Sequence, residues 1–158
     1  ALAIGVGEGR EGVMDKPPKD PEEPVINKKS WQGIIFYGTM IALGVAGGFF
    51  YAWYVWDASF ELANNVAFFT LAFAELLHVF NMRDPDENLF NNQITRNKYV
   101  WMAIAFCLVM LILAYTVPYL SNLLSIQQLE GRHWLLIALG ALVPAALVQI
   151  FKSVTSKL

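Results

Sequence analysis

The chain has one cysteine, little charge and no recognisable catalytic motif. A single cysteine, Cys107, excludes a disulfide within the chain, and its place in an apolar run predicts a packing role. The 11 basic and 13 acidic residues form no basic block, which excludes the electrostatic footprint of a nucleic-acid-binding protein. We find no Walker loop, zinc-ligand spacing or Ser/His/Asp set, so any catalytic residues would have to lie elsewhere.

One stretch, residues 7–12, has the letters G-x-G-x-x-G of a dinucleotide-binding loop. No strand precedes it, and Pro17 and Pro18 follow too soon for the helix that would hold a pyrophosphate. We therefore interpret this stretch as a flexible connection and not as a nucleotide site.

Long apolar runs dominate the rest of the chain, at residues 33–56, 62–82, 99–120 and 134–151. The first contains 24 residues without a formal charge, about 36 Å of helix, which is enough to cross a hydrocarbon layer of about 30 Å. Only residues 57–61 separate the first two runs, so the second must return at once. The sequence predicts an all-α membrane protein with four transmembrane helices in two antiparallel hairpins.

Finer features are predicted around these spans. Gly44 and Gly48 have the GxxxG spacing that lets a neighbouring helix approach closely, so we interpret them as helix-packing residues. Pro144 predicts a kink in the fourth span. Residues 121–133 are polar with interspersed leucines and isoleucine, which predicts a short helix at the membrane interface.

The basic residues predict the orientation of the spans. Ten of the 11 lie before the first span, between the second and third, or after the fourth, and only Arg132 lies on the other side. Because positive charge accumulates in cytoplasmic loops, both ends of the chain are expected in the cytoplasm.

The first 30 residues form a separate region in this interpretation. Residues 1–7 are apolar without an initiator Met or a basic flank, so we expect them to be the end of a truncated helix, in a piece of something larger. Four prolines within residues 17–24 predict a stiff cytoplasmic loop. Residues 31–158 then form the four-helix transmembrane domain.

Glu75 is the main candidate functional residue. A carboxylate near the bilayer centre costs about 2.5–3.5 kcal/mol even on insertion scales, so such groups commonly face a bundle interior and serve an ion or proton path. Asn64 lies close to three turns before it and His78 three residues after it, which predicts a polar stripe that lines an ion path or hydrogen-bonds to the ligands of an ion. Asn81 points about a third of a turn away, which favours a helix interface. A structural hydrogen bond or ion pair for Glu75 remains equally open at this point, and a lone His78 does not predict a metal site.

Two stretches together resemble one known family. Residues 14–26, Met-Asp-Lys-Pro-Pro-Lys-Asp-Pro-Glu-Glu-Pro-Val-Ile, are similar to the cytoplasmic loop between the sixth and seventh helices of type II P-type cation-transporting ATPases, the calcium-pump-like group. Residues 73–83, Phe-Ala-Glu-Leu-Leu-His-Val-Phe-Asn-Met-Arg, resemble their eighth helix and the turn after it. On this resemblance the four spans are helices seven to ten.

The resemblance implies a pump that forms a phosphoaspartate from Mg-ATP and transports a cation, with Ca²⁺ the expected ion. It implies that the phosphorylation motif and the ligands of helices four to six belong to other parts of the pump, so this piece alone would hydrolyse nothing. One acidic position of the eighth helix corresponds to Glu75, which makes Glu75 the expected cation (metal) ligand. Expected partners are the remaining helices and cytoplasmic domains of the pump and the lipid bilayer.

The loop between the first two spans is far shorter than in animal calcium pumps, which favours a bacterial-type pump in the plasma (cytoplasmic) membrane. Two alternatives stay open: an independent four-helix membrane protein that acts as an assembly partner or small carrier, and an enzyme embedded in the bilayer. The second would need a catalytic group facing Glu75, and only His78 is available.

Overall fold

The computed structural model describes residues 2–6, 28–82 and 92–155. Within them the chain forms seven α-helices and one π-helical segment, and these parts contain no β-strand. The elements are α1 (Leu2–Gly5), α2 (Lys28–Phe50), π1 (Tyr51–Val55), α3 (Phe60–Asn81), α4 (Gln93–Arg96), α5 (Lys98–Thr116), α6 (Pro118–Leu123) and α7 (Gly131–Thr155). The proline-rich loop and the G-x-G-x-x-G stretch lie outside the described residues.

Four helical stretches are long and apolar enough to cross a membrane. They are Trp31–Val55, Phe60–Asn81, Lys98–Thr116 and Gly131–Lys152. The predicted four-span, all-α membrane fold is therefore confirmed. Each span coincides with one of the apolar runs, because a helix in hydrocarbon must satisfy its own backbone groups and present apolar side chains.

The first hairpin turns within a few residues, as its short polar break requires. The first span ends in π1, where the amide of Ala58 donates to the carbonyl of Ala52 at 3.1 Å. Asp57 has a positive φ of 50°, which reverses the chain. Ser59 then caps α3, because its hydroxyl accepts a hydrogen bond from the Leu62 amide at 3.2 Å.

The second hairpin differs from the prediction. The third span ends at Thr116, earlier than residue 120, because Pro118 cannot continue that helix and instead starts α6. The short helix expected within residues 121–133 is thus shifted to Pro118–Leu123. Ser125 has a positive φ of 52°, and residues 126–130 are not helical.

The core lies where α2, α3 and α7 pack together. Its most deeply buried side chains include Val66, Phe69 and Ile137. The Phe69 ring contacts the Trp134 ring at a centroid distance of 5.3 Å, which joins the second span to the fourth. The rest of the protein buries the first span least, and the third span, α5, is the next least buried. Cys107 lies on the exposed surface of α5.

Two glycines and a threonine bring α2, α3 and α7 together. Gly44 has the backbone of Gly140 against it, with the Pro144 ring close by. Gly140 in turn faces the buried side chain of Thr70, and the Thr70 hydroxyl donates to the Val66 carbonyl at 2.7 Å. The fourth helix runs without interruption through Pro144. Gly48 is also buried. A methyl group added to it would lie within ordinary contact distance of the Thr70 and Val66 side chains.

Candidate functional site

Glu75 lies in the C-terminal half of α3 and is exposed on the surface of the bundle. Its side chain lines a groove of about 510 Å³ between α2 and α3. The other residues of the groove are apolar, and several on the α2 side are small, notably Gly38, Ala42 and Ala46. One carboxylate therefore stands in a largely apolar, shallow channel that runs along two membrane-spanning helices.

Asn64 occupies the same exposed face of α3 as Glu75, as the helical spacing predicts. The two residues are 11 positions apart, which corresponds to about 16 Å along the helix axis. Calcium–oxygen bonds are about 2.3–2.6 Å long, so these two side chains cannot hold one ion together. Asn64 lies near the opposite end of the span.

His78 is half-buried one turn after Glu75. Its ring lies edge-on to the Tyr37 ring, with centroids 5.6 Å apart. The buried Nδ1 atom has no hydrogen-bond partner among the described residues. His78 is thus a polar group between Glu75 and the end of α3 that contains Asn81.

Asn81 is buried at the end of α3, with only 3% of its surface exposed. Its side-chain oxygen accepts a hydrogen bond from the Gln149 amide, and its backbone carbonyl accepts one from the Lys152 ammonium. These bonds join the second span to the fourth. The structure places Asn81 in a helix interface, two turns from Glu75.

The described residues contain no cluster of three or more His, Cys, Asp or Glu side chains that could hold a metal ion. Calcium takes six to eight oxygen ligands, so Glu75 alone is an incomplete site. An ion at this position would need further ligands from outside the described part of the chain.

Sequence reasoning missed a second polar arrangement, at the other end of the bundle. Asn65 is 3% exposed, and its amide donates to the Ser125 carbonyl at 3.2 Å. Its side-chain oxygen accepts the Gln127 amide at 2.7 Å. Both bonds hold the loop after α6 against α3. The only signal in the sequence is a pair of adjacent asparagines, which necessarily point to different faces of a helix.

Residues 2–6 are held at the start of the third span. The Asn97 amide donates to the Ala3 carbonyl at 2.9 Å, while its side-chain oxygen caps α5 by accepting the Tyr99 amide at 2.9 Å. The short helix α1 packs against α5. One buried asparagine thus connects the first described residues to the transmembrane bundle.

Comparison with known proteins assigns the family. Residues 1–154 match the family described as cation transporting ATPase, C-terminus. The chain belongs to this family. The resemblance to P-type cation-transporting ATPases is therefore confirmed by a match over nearly the whole chain.

The curated relatives carry calcium in their names. The chain is 31% identical over 156 residues to calcium-transporting ATPase 1 of Lactococcus lactis, covering 98% of this chain and 17% of that protein. It is 26% identical to calcium-transporting ATPase 1 of Bacillus cereus, covering 96% and 19%. The calcium-transporting ATPase of Bacillus subtilis is 23% identical, with 94% and 16% covered. The chain spans less than a fifth of the length of these relatives.

Proposed function

We propose that this chain is the C-terminal membrane domain of an ATP-driven pump that transports Ca²⁺, and that its four spans are helices seven to ten. The named relatives support calcium as the cargo. In this proposal the parent protein binds Mg-ATP and forms the phosphoaspartate in cytoplasmic domains that lie outside this chain. This domain braces the ion path and contributes one acidic ligand.

The observation that carries the proposal is the exposed position of Glu75. Among the described residues it is the only carboxylate away from the ends of a span. An ionised carboxylate facing lipid near the bilayer centre costs about 2.5–3.5 kcal/mol on insertion scales. A further element of the parent pump that covers this side chain, or a cation bound to it, would remove that cost.

The groove beside Glu75 is suited to accept another helix. Gly38 of α2 has open space where a side chain would stand, and Ala42 and Ala46 add little volume. Small residues let helix backbones approach closely in a membrane, where dispersion contacts drive association. We propose that a helix of the parent lies in this groove and brings polar ligands towards the Glu75 carboxylate.

The proposed role of Glu75 follows from its chemistry. A carboxylate is a hard oxygen ligand of the kind that Ca²⁺ prefers, and it supplies one or two of the six to eight oxygens required. In this proposal His78, one turn nearer the cytoplasm, lines the ion path, whereas Asn64 and Asn81 have positions that favour structural roles. Both chain ends are proposed to face the cytoplasm, in a plasma membrane, as the distribution of basic residues predicts.

The test is Glu75→Gln in the full-length pump, with Glu61→Gln as the matched control. Both residues are exposed carboxylates of α3, but Glu61 lies in the first turn, at the opposite end of the span. Glu75→Gln should lower the apparent Ca²⁺ affinity of ATPase activity and reduce Ca²⁺ occlusion. Glu61→Gln should change neither quantity.

Unchanged Ca²⁺ affinity and stoichiometry in correctly folded Glu75→Gln protein would show that the carboxylate is not a ligand.

A separate observation addresses the pump itself. The gene region that encodes the chain should contain an upstream Asp-Lys-Thr-Gly-Thr motif in the same reading frame. A start codon directly before Ala1 would instead support the independent four-helix protein.

A further inference from the structure

The loop between α6 and α7 is held at three of its backbone amides by side chains of three different spans. The side chains of Asn65 in α3 and Tyr115 in α5 accept hydrogen bonds from two of them. The third, the Glu130 amide, donates to the Nδ1 atom of His133 in α7 at 2.9 Å. Residues 126–130 are not helical, so these amides depend on side chains for partners that a helix would otherwise supply.

His133 also closes the start of α7. Glu130 directly precedes the first helical residue, and its carbonyl accepts the amides of His133 and Trp134 at 3.0 and 3.2 Å. The His133 ring returns a bond to the Glu130 amide, which is the arrangement of a capping box. Glu or Gln usually supplies the returning side chain of such a box. Here the acceptor is an imidazole, the side chain that changes its protonation near neutral pH.

The bond to Glu130 defines which ring nitrogen of His133 carries the hydrogen. An Nδ1 atom that accepts a bond carries no hydrogen itself, so the neutral ring has its hydrogen on Nε2. A protonated imidazole has a hydrogen on both nitrogens and accepts no hydrogen bond. A proton on Nδ1 and the bond from the Glu130 amide therefore exclude each other.

The surroundings of the His133 ring offer no partner for a positive charge. The residue is 2% exposed, and its Nε2 atom is buried without a hydrogen-bond partner among the described residues. The Trp56 ring lies edge-on to it, with centroids 5.5 Å apart. Trp56 already has the Arg132 guanidinium over its ring at 5.3 Å, and Arg132 pairs with the Glu130 carboxylate at 2.8 Å. A protonated His133 would thus bring a second cation to this place.

The neighbouring elements carry three further ionisable side chains at this end of the bundle. Asp57 follows Trp56 in the first hairpin turn, Glu61 lies in the first turn of α3, and Tyr115 lies near the end of α5. Within the described part of the chain, no hydrogen bond or ion pair joins these three side chains to the imidazole.

We propose that His133 is a pH-sensitive latch on the second hairpin: the neutral ring holds the Glu130 amide, and a proton taken up from water by Nδ1 releases it. Release frees the last residue of the loop and lets the charged ring turn towards solvent. Asn65 continues to hold the Gln127 amide, because an amide oxygen does not titrate. The latch is separate from Glu75 and does not depend on the transported ion.

The expected size of the response follows from the chemistry of a free imidazole, whose pKa is about 6.5. When only the released ring takes up the proton, the equilibrium constant for release rises about tenfold between pH 7.5 and pH 5.5. Side-chain carboxyl groups ordinarily titrate near about pH 4, below this interval. The interval therefore selects the response of histidine.

The experiment is hydrogen exchange of the full-length protein in phospholipid nanodiscs at pH 7.5 and pH 5.5. Mass spectrometry with fragmentation resolves single amides, and the rates are corrected for the intrinsic pH dependence of exchange. The protection of the Glu130 amide should fall about tenfold on acidification, and that of the Gln127 amide should stay constant. Unchanged protection at Glu130 would overturn the proposal. An equal loss at Gln127 would also overturn it, because the whole loop would then be loosening.

Two variants separate the bond from its titration. His133→Gln keeps an acceptor of the kind usual in a capping box but takes up no proton, so the Glu130 amide should stay protected at both pH values. His133→Leu has no acceptor, so this amide should be poorly protected at both. A tenfold loss on acidification in either folded variant would assign the response to another group and overturn the proposal. The comparison of Glu130 with Gln127 in the unmodified protein decides the matter even where a variant does not fold.

Discussion

The carbonyl oxygen of Gly140 lies against the backbone of Gly44, at the place where a side chain on residue 44 would stand. Gly140 precedes Pro144 by four residues, and proline has no amide hydrogen to donate to the carbonyl one turn earlier. The Gly140 carbonyl, which Pro144 leaves without its usual helical donor, therefore faces the backbone of Gly44, a contact typical of closely packed membrane helices. Neither helix could approach as closely if residue 44 carried a side chain.

Gly44→Ala should destabilise the four-helix domain. The new methyl group would meet the Gly140 carbonyl and the Pro144 ring, both parts of a packed helix that cannot yield easily. Overpacking of this kind costs about 1–3 kcal/mol in the free energy of unfolding. Gly47→Ala is the control, because nothing lies within 4 Å of its added methyl group. Its main effect should be the higher helix propensity of alanine, which raises the free energy of unfolding by up to about 1 kcal/mol. The free energy of unfolding of each variant can be measured in mixed micelles. Equal stability of the two variants would contradict the prediction.

Gly140→Ala should be destabilising for a different reason, and Thr70→Ser should relieve part of the effect. A methyl group on residue 140 would stand 2.8 Å from the Thr70 Cγ2 atom and 3.3 Å from the Gly44 carbonyl. Serine lacks Cγ2 but keeps the hydroxyl that bonds to Val66. A double-mutant cycle should show a favourable coupling of about 0.5–3 kcal/mol. Strictly additive changes would mean that Thr70 is not the obstacle.

Asn65→Ala should loosen the loop after α6. It removes both bonds to the loop backbone and leaves the Gln127 amide without its partner, at a cost of about 1–3 kcal/mol. The expected results are a lower free energy of unfolding and faster hydrogen exchange at the Gln127 amide. Asn64→Ala is the control, since Asn64 is the exposed neighbour in the same helical turn. If both variants exchange equally fast at Gln127, the Asn65 bonds do not hold the loop.

Tyr115→Phe should weaken the same loop from the opposite side. The Tyr115 hydroxyl accepts the Leu129 amide at 3.1 Å and donates to the Gln128 side chain at 3.1 Å. Its removal should lower the free energy of unfolding by about 1 kcal/mol, the usual net worth of a hydrogen bond. Tyr119→Phe, at a residue that is 76% exposed, should leave stability unchanged. The ring itself is retained in both variants, so a difference between them reports the hydroxyl alone.

The hydrophobic runs predicted the four spans because a bilayer imposes a length and a composition that few other structures require. The end of the third span was less well predicted, since Pro118 starts a new helix where the apolar run continues. The packing of the glycines illustrates the same limit. Gly44 could be recognised by its spacing, but its partners Gly140 and Pro144 lie about 100 residues away in the chain.

The amino-acid sequence by itself determined the class of protein, the number of spans, the predicted orientation and the family resemblance, because hydropathy and charge act locally along each helix. Only the tertiary structure decided that Asn65 is buried against the loop after α6 while Asn64 and Glu75 stay exposed. The physical reason is that burial depends on which helix faces which, and that choice is made by contacts between residues far apart in the chain.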